Sequence, residues 1–304
     1  RRVLGMYKSK EDEIASSILA EGLFSLFSTH FGKINIKDHF TKSVLKKISE
    51  EIRTIISQYN EDDNLIFNNK LIPINKANFT PIPQTNIKKT IAFIDGGQAE
   101  IITTGNFCLS FIRIFSQIFE ENIKKDFIKH EFYLFTRAVW KSDNLFYESK
   151  IYSEQEKIIE ENDLLINSTD ETLRSGIERA SITKVTNIAR RFAELKLAQT
   201  VKADIIIFDG TLEATYKGEE KYRFQLNTNT GAIAKTSSLF TTSGNNPTIL
   251  LNKIGQVGCW SYQIDHKSSF VKLHPAAKHV FRFEGDLNYL SALSKNSTDA
   301  LFLG

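Results

Sequence analysis

Several residue types that would define a function are scarce in this 304-residue chain. It has two cysteines, Cys108 and Cys259, far apart and in no CxxC spacing. A disulfide framework and a cysteine zinc site are therefore not expected, and a reducing cytosol suits the chain. Proline is rare, at five, and Pro73, Pro81 and Pro83 fall within one short stretch. No apolar run approaches the eighteen or so residues that a membrane-crossing helix needs; the longest, Phe107 to Ile118, is broken by Ser110, Arg113 and Ser116. No basic-then-apolar leader opens the sequence as given. There is no strong charge of either sign: 39 Lys and Arg face 36 Asp and Glu, a net charge of +3. That balance permits a nucleic-acid partner without arguing for one. Walker A, GxGxxG and Ser-His-Asp patterns are all missing.

The rest has ordinary globular composition, 41% hydrophobic and 25% charged, enough to bury a real core. Helical spacing of Ile14, Ile18, Leu19, Leu23, Leu26 and Phe27, then of Val44, Leu45, Ile48, Ile52, Ile55 and Ile56, predicts two N-terminal helices. Residues 61–88 are polar and proline-bearing and read as a linker. Strands are expected at Lys89–Ile94, Ala99–Thr103, Phe107–Phe119 and Glu131–Trp140, forming an antiparallel meander. A helical piece follows around Glu154–Glu161, then a long helix from Glu171 to about Thr200. Ile205–Phe208 reads as a buried central strand. Shorter strands are expected at Ala232–Lys235, Gly258–Ile264, Phe270–Leu273 and His279–Glu284. This is an α/β (α+β) pattern, divided into a helical segment over 1–87 and a main domain over 88–304.

Two segments look alike. Ile91-Ala-Phe-Ile-Asp95-Gly96 and Ile205-Ile-Ile-Phe-Asp209-Gly210 each deliver an aspartate from the end of an apolar strand, followed by glycine. Strand ends of α/β sheets gather ligand sites, and paired carboxylates suit a hard divalent ion. Each Asp-Gly alone reads more readily as a turn; it is the pair, on the most apolar strands of the chain, that brings the metal reading level with it. Glu194 is the third candidate, fifteen residues before Asp209 on the border of the apolar face of the long helix. Its alternative is a surface pair with Arg190 or Arg191. Glu178, on the same predicted helix, lies two turns too far away to be the first choice. Lys235, followed by Thr236, Ser237 and Ser238, could hold a phosphate, and Lys272 and Arg282 could track a nucleic-acid backbone or be plain solvated charge. His266, His274 and His279 are too loosely spaced for zinc, and structural or surface roles are expected of them. Tyr133, Phe135, Trp140, Trp260 and Tyr262 could stack on bases, but core positions are the usual outcome.

The order strand-Asp, meander, helix-Glu, strand-Asp is that of ribonuclease-H-like nucleases. More narrowly, the chain resembles the NurA nucleases through Ile91-Ala-Phe-Ile-Asp95-Gly-Gly, Arg191-Phe-Ala-Glu194-Leu-Lys-Leu-Ala, Ile205-Ile-Ile-Phe-Asp209-Gly-Thr-Leu212, Gly231-Ala-Ile-Ala-Lys235-Thr-Ser and Phe270-Val-Lys-Leu-His-Pro275 through Val280-Phe-Arg-Phe-Glu284. The resemblance covers residues 88 to 304. It implies a ribonuclease-H-like mixed sheet with a partly barrel-like meander. It also implies Asp95, Glu194 and Asp209 as catalytic ligands of Mn²⁺ or Mg²⁺, in two ions, and DNA contacts from residues such as Arg191. The implied activity is 5′-to-3′ exonuclease and single-strand endonuclease cleavage in DNA end processing for break repair, by a cytoplasmic, nucleoid-associated homodimer docked on a hexameric HerA-type translocase. Two departures stand out: Gly97 replaces the usual serine, and the sequence stops at Gly304, where a segment carrying a site histidine is expected to begin. Non-catalytic nucleic-acid-binding subunits and other ribonuclease-H-like nucleases share the same pattern.

Overall fold

The computed structural model of the chain describes residues 42–60, 62–85 and 88–297. The expected helix over Ile14–Phe27 and the apolar run Ala300–Gly304 lie outside them. In chain order the elements are α1 (Lys42–Ser57), β1 (Asn64–Phe67), β2 (Lys70–Pro73), β3 (Phe79–Pro81), β4 (Thr90–Thr103), β5 (Phe107–Glu120), β6 (Ile123–Lys141), β7 (Asn144–Tyr152) and β8 (Ile166–Asn167). Then come α2 (Lys184–Thr200), β9 (Ile205–Asp209), α3 (Glu220–Arg223), β10 (Thr230–Ala234), α4 (Pro247–Ile254), β11 (Trp260–Gln263), β12 (Ser268–Lys272), β13 (Phe281–Glu284) and α5 (Leu290–Asn296). The fold class is α+β with mixed strand pairing, as the sequence predicts.

The chain forms two compact units. One takes the described residues within Arg1–Thr85 together with Ala234–Phe283 and those from Leu293 onward. The other takes the described residues within Asn86–Ile233 together with Glu284–Ala292.

In the first unit, the stretch expected as a linker carries β1–β3 instead. β1 and β2 pair antiparallel around Asn68 and Asn69, both at positive φ (50° and 57°). Asparagine tolerates that region better than most side chains, and a two-residue turn of this hand matches strand twist. β3, β11, β12 and β13 lie in that order. Phe79 packs edge-on against Trp260, with ring centroids 4.7 Å apart, over a core that includes Leu65, Tyr262 and Phe270.

The second unit carries the candidate site. Its strands run β10-β9-β4-β5-β6-β7-β8, an open row with no closure into a barrel among the described residues. β9 is parallel to both β4 and β10, and β4 to β7 form the expected antiparallel meander. Its hairpins turn at Glu121–Asn122 and Ser142–Asp143, all at positive φ.

Alternation sorts the two faces. Ile112, Ile114 and Ile118 of β5 join Val185, Ile188, Phe192 and Leu195 of α2 in one buried core. On the opposite face the rings of odd-numbered residues meet across strands, Phe93 edge-on to Phe119, and Phe111 with Tyr133 and Phe115 with Phe127 at a tilt.

Three expected elements differ from those found. β4 is one strand rather than two, because Asp95, Gly96 and Gly97 pair in register with Phe115, Ile114 and Arg113; the long partner strand overrides the turn preference of Asp-Gly-Gly. α2 begins at Lys184, not Glu171. Residues before it turn instead, with Gly176 at φ +65°, the Asp170 side chain accepting from the Thr172 N–H, and Ile177 98% exposed. No α-helix forms over Glu154–Glu161; a 3-10 turn, Glu161–Leu164, takes its place.

Candidate active site

The site starts from strand register. Ile91 to Ile94 of β4 lie opposite Ile205 to Phe208 of β9. Asp95 and Asp209 are the next residue on each strand, so their backbones stand side by side at roughly 5 Å, the spacing of neighbouring strands. Ala92, Ile94, Ile206 and Phe208 face the core under α2. Both aspartates therefore project from the other face, and both are exposed. Asp95 Oδ1 accepts a hydrogen bond from the Gly96 N–H at 2.7 Å. β9 ends at Asp209 because Gly210 follows at φ +109°, a backbone conformation that glycine adopts without strain. A β-carbon at Gly97, on the same face as Asp95, would meet nothing within 4 Å.

Glu194 comes from the helix side. Its side chain is 6% exposed, and Oε1 accepts from Arg190 Nη1 at 2.5 Å. The same guanidinium reaches the edge of β4 beyond the end of β9: Nη1 donates to the Gly96 carbonyl at 3.1 Å and Nε to Gln98 Oε1 at 3.2 Å. Gln98 in turn donates to Asn187 Oδ1. Arg191 stands farther from the glutamate, at 3.9 Å. Its Nε donates to Glu219 Oε1 at 2.8 Å and its Nη2 to the Thr211 carbonyl at 2.8 Å. Glu219, with a fully buried side chain, also accepts the Thr215 and Tyr216 N–H groups. The Arg191–Glu219 pair thus ties α2 to the loop that leaves β9.

Burial lifts the Glu194 carboxyl to about 7, against the pull of Arg190 and Arg191, and the negative charge of Asp95 pushes the same way. The charge of Asp95 thus bears on Glu194 across the edge of β4.

By chemistry, this donor set fits a hard divalent cation. It consists of carboxylate oxygens, two of them on adjacent parallel strands, and Asp95, Asp209 and Glu194 would hold the ion. Among the described residues, however, no three His, Cys, Asp or Glu side chains are already gathered closely enough to do so. The reason lies in the geometry. The aspartates leave one face of the sheet, Asp95 from β4 and Asp209 from β9, while the glutamate approaches from the other with its charge met by Arg190.

The remaining candidates divide. Glu178 is exposed in the turns before α2, which leaves Glu194 as the glutamate near the aspartates. The expected alternative for Glu194, a pair with Arg190 four residues back, is present, but buried rather than at the surface. Arg191 is also largely buried, with donors engaged inside the fold, not offered to a backbone phosphate. Lys235 (exposed), Lys272 and Arg282 belong to the other unit. Arg282 is not on a solvated strand face: it is buried, its guanidinium 5.7 Å from the Phe67 ring centroid. His279 contacts the Lys235 carbonyl, 44 residues away, and His274 accepts the Ala276 N–H, both structural contacts. Trp260 and Tyr262 are core, whereas Tyr133 and Trp140 are 48% and 66% exposed. An open cleft of about 650 Å³ is lined by Asn167, Asp170, Thr215, Tyr216 and Lys217 among others, and by none of the three acids.

The i−4 spacing of Arg190 from Glu194 predicts a pair at the surface and carries no sign of its burial. Glu219 has no distinguishing signal in the sequence, sitting in the charged run Lys217-Gly-Glu-Glu-Lys221.

No protein-family profile matches the chain, and no curated protein matches it. No helix among the described residues is long and apolar enough to cross a membrane.

Proposed function

We propose that this chain is a metal-dependent DNA nuclease of the NurA type. The observation that carries the reading is the register of Asp95 and Asp209, side by side on parallel strands, with Glu194 near enough to feel the charge of Asp95. In this reading Asp95 and Asp209 bind the cation from the exposed face; Glu194 as a third ligand is what the resemblance adds, and its place on the helix side, paired with Arg190, does not support that part. Open space over Gly97 lets a phosphodiester approach Asp95. Mn²⁺ or Mg²⁺ at such a site supplies an activated water and stabilises the leaving oxygen. The substrate follows from the family resemblance, as do the homodimer, the HerA-type translocase, the role in DNA end processing and the nucleoid association.

The test is cleavage of end-labelled single-stranded DNA with Mn²⁺, with Mg²⁺ and with chelator. Metal-dependent cleavage supports the reading; binding without cleavage under any metal favours a non-catalytic DNA-binding subunit. The ion pair that already neutralises Glu194 is the observation on the side of that second reading.

A further inference from the structure

We propose that the open face of the β4–β7 meander, from which Asp95 also projects, is a stacking platform for single-stranded nucleic acid that leads a strand to Asp95. The inference deepens the nuclease reading and rests on it for the strand being DNA. The platform itself is read from side chains that the nuclease reading does not use.

Register sets the parts in rows. Asp95 of β4 lies opposite Phe115 of β5, and Phe115 opposite Lys129 of β6. Two residues along the same face the row is Gly97, Arg113 and Glu131, and the next brings Phe111, Tyr133 and Tyr152 together. Alternation turns all of these away from α2. The strand residues beneath α2, such as Ile112, Ile114 and Leu134, are fully buried. On the open face Phe111 and Phe115 are half-buried, and Phe127, Tyr133 and Tyr152 are 43%, 48% and 55% exposed. Cations stand between the rings. Arg113 separates Phe111 from Phe115 on β5, with its guanidinium 5.7 Å from the Phe111 ring centroid, and Lys129 lies between Phe127 and Tyr133 on β6. Lys124 Nζ sits 4.7 Å from the Phe127 centroid. Glu131 is shared by Arg113 and Lys129, and Glu148 by Arg137 and Lys141, so each cluster keeps net positive charge. Rings accept any base on their faces, while cations follow the phosphates. Charge placed among the rings suits a polyanion better than a second protein, because the centres of protein interfaces are depleted of charge. Beside Asp95, Gly97 leaves the approach clear, since a β-carbon there would meet nothing within 4 Å.

Fluorescence anisotropy of a labelled single-stranded oligothymidine, with chelator present to prevent cleavage, tests this. The unaltered chain should bind the probe. Tyr133→Ala should weaken binding at least about fivefold, the lower end of what one lost stacking contact costs, and Tyr133→Phe, which keeps the ring, should not. Lys129→Gln should lower the slope of log affinity against log salt by about 0.7, as the loss of one phosphate contact to a single strand does. Trp140→Ala removes an exposed ring from the α2 face, where Arg179 lies over it, and should change nothing. Circular dichroism melts establish that each variant is folded; should Tyr133→Ala not fold, Tyr152→Ala carries the same comparison. The platform is overturned if the chain does not bind the probe, if Tyr133→Ala binds as the unaltered chain does, or if Trp140→Ala weakens binding equally. It is also overturned if light scattering shows Tyr133→Ala turning a dimer into a monomer while probe affinity holds, since the face then belongs to a second copy. Tyr133-dependent binding without cleavage under any metal removes the nuclease reading and leaves the platform. Metal-dependent cleavage with binding that ignores Tyr133 removes the platform alone.

Discussion

Glu194 Oε1 lies 2.6 Å from the point a β-carbon on Gly96 would occupy. No ordinary van der Waals contact is that short, and Ile114 Cγ2 at 3.0 Å and Arg190 Cγ at 3.1 Å crowd the same point. Gly96 is thus demanded not by a turn, since it lies within a continuous strand, but by the close approach of α2. Gly96→Ala should destabilise the chain by about 1–3 kcal/mol, the usual cost of overpacking a tight site. Gly97→Ala, with nothing in reach, should cost much less. Urea unfolding of both variants decides it, and equal losses would refute the close approach.

Asp209→Asn should abolish metal-dependent cleavage while leaving DNA affinity nearly unchanged. A loss of at least about two orders of magnitude in rate is expected, the scale of removing one preorganised electrostatic contact from a transition state. The amide is nearly isosteric and the residue is exposed at a strand end, so the melting temperature should hold. A variant cleaving at the original rate in Mn²⁺ would show Asp209 to be only the residue before a glycine turn.

Glu219 is predicted to matter for stability more than its loop position suggests. Its buried carboxylate accepts from Arg191 and from the Thr215 and Tyr216 N–H groups. Glu219→Ala strands the charge of Arg191 and two backbone donors, and should cost about 3–5 kcal/mol, as breaking buried pairs does. Glu220→Ala, next to it but exposed, should fall within about 0.5 kcal/mol of the original. Chemical denaturation of the two variants provides the comparison.

Glu194 makes stability depend on pH in an identifiable window. Its folded carboxyl titrates near 7, against 4.5 when unfolded. Between these values the folded chain retains a proton that the unfolded chain has released, so raising the pH favours unfolding. The contribution is fully present below pH 4.5 and is lost as pH passes 7, a change of roughly 3 kcal/mol at about 1.4 kcal/mol per unit. Glu194→Gln should flatten the stability profile between these limits. Identical slopes for the two proteins would place the responsible group elsewhere.

Much of this site could be read from the chain itself. The two aspartates are legible because each follows four apolar residues, at least three of them β-branched or aromatic, as a buried strand would; that register sets them side by side is not, since β4 runs on to Thr103 while β9 stops at Asp209. Glu194 is legible as a border residue of a helical stripe. Its burial is not, because helical period defines a face without saying how close that face comes to β4. That distance depends on Gly96, nearly a hundred residues away in sequence.

The same limit explains the misread elements. Asp95-Gly96-Gly97 has local turn preference, yet β5 holds it extended through a ladder that no local pattern encodes. Leu173 and Ile182 carry a helix-like spacing and are both buried, but Gly176 and the Asp170 turn keep residues between them out of the helix. Local chemistry, then, determined which residues are apolar, which strands end in carboxylates and which helix carries the glutamate. Only the tertiary structure decided that the aspartates leave one face of the sheet while the glutamate meets an arginine on the other, because the side of a sheet a helix covers is set by packing between segments distant in the chain.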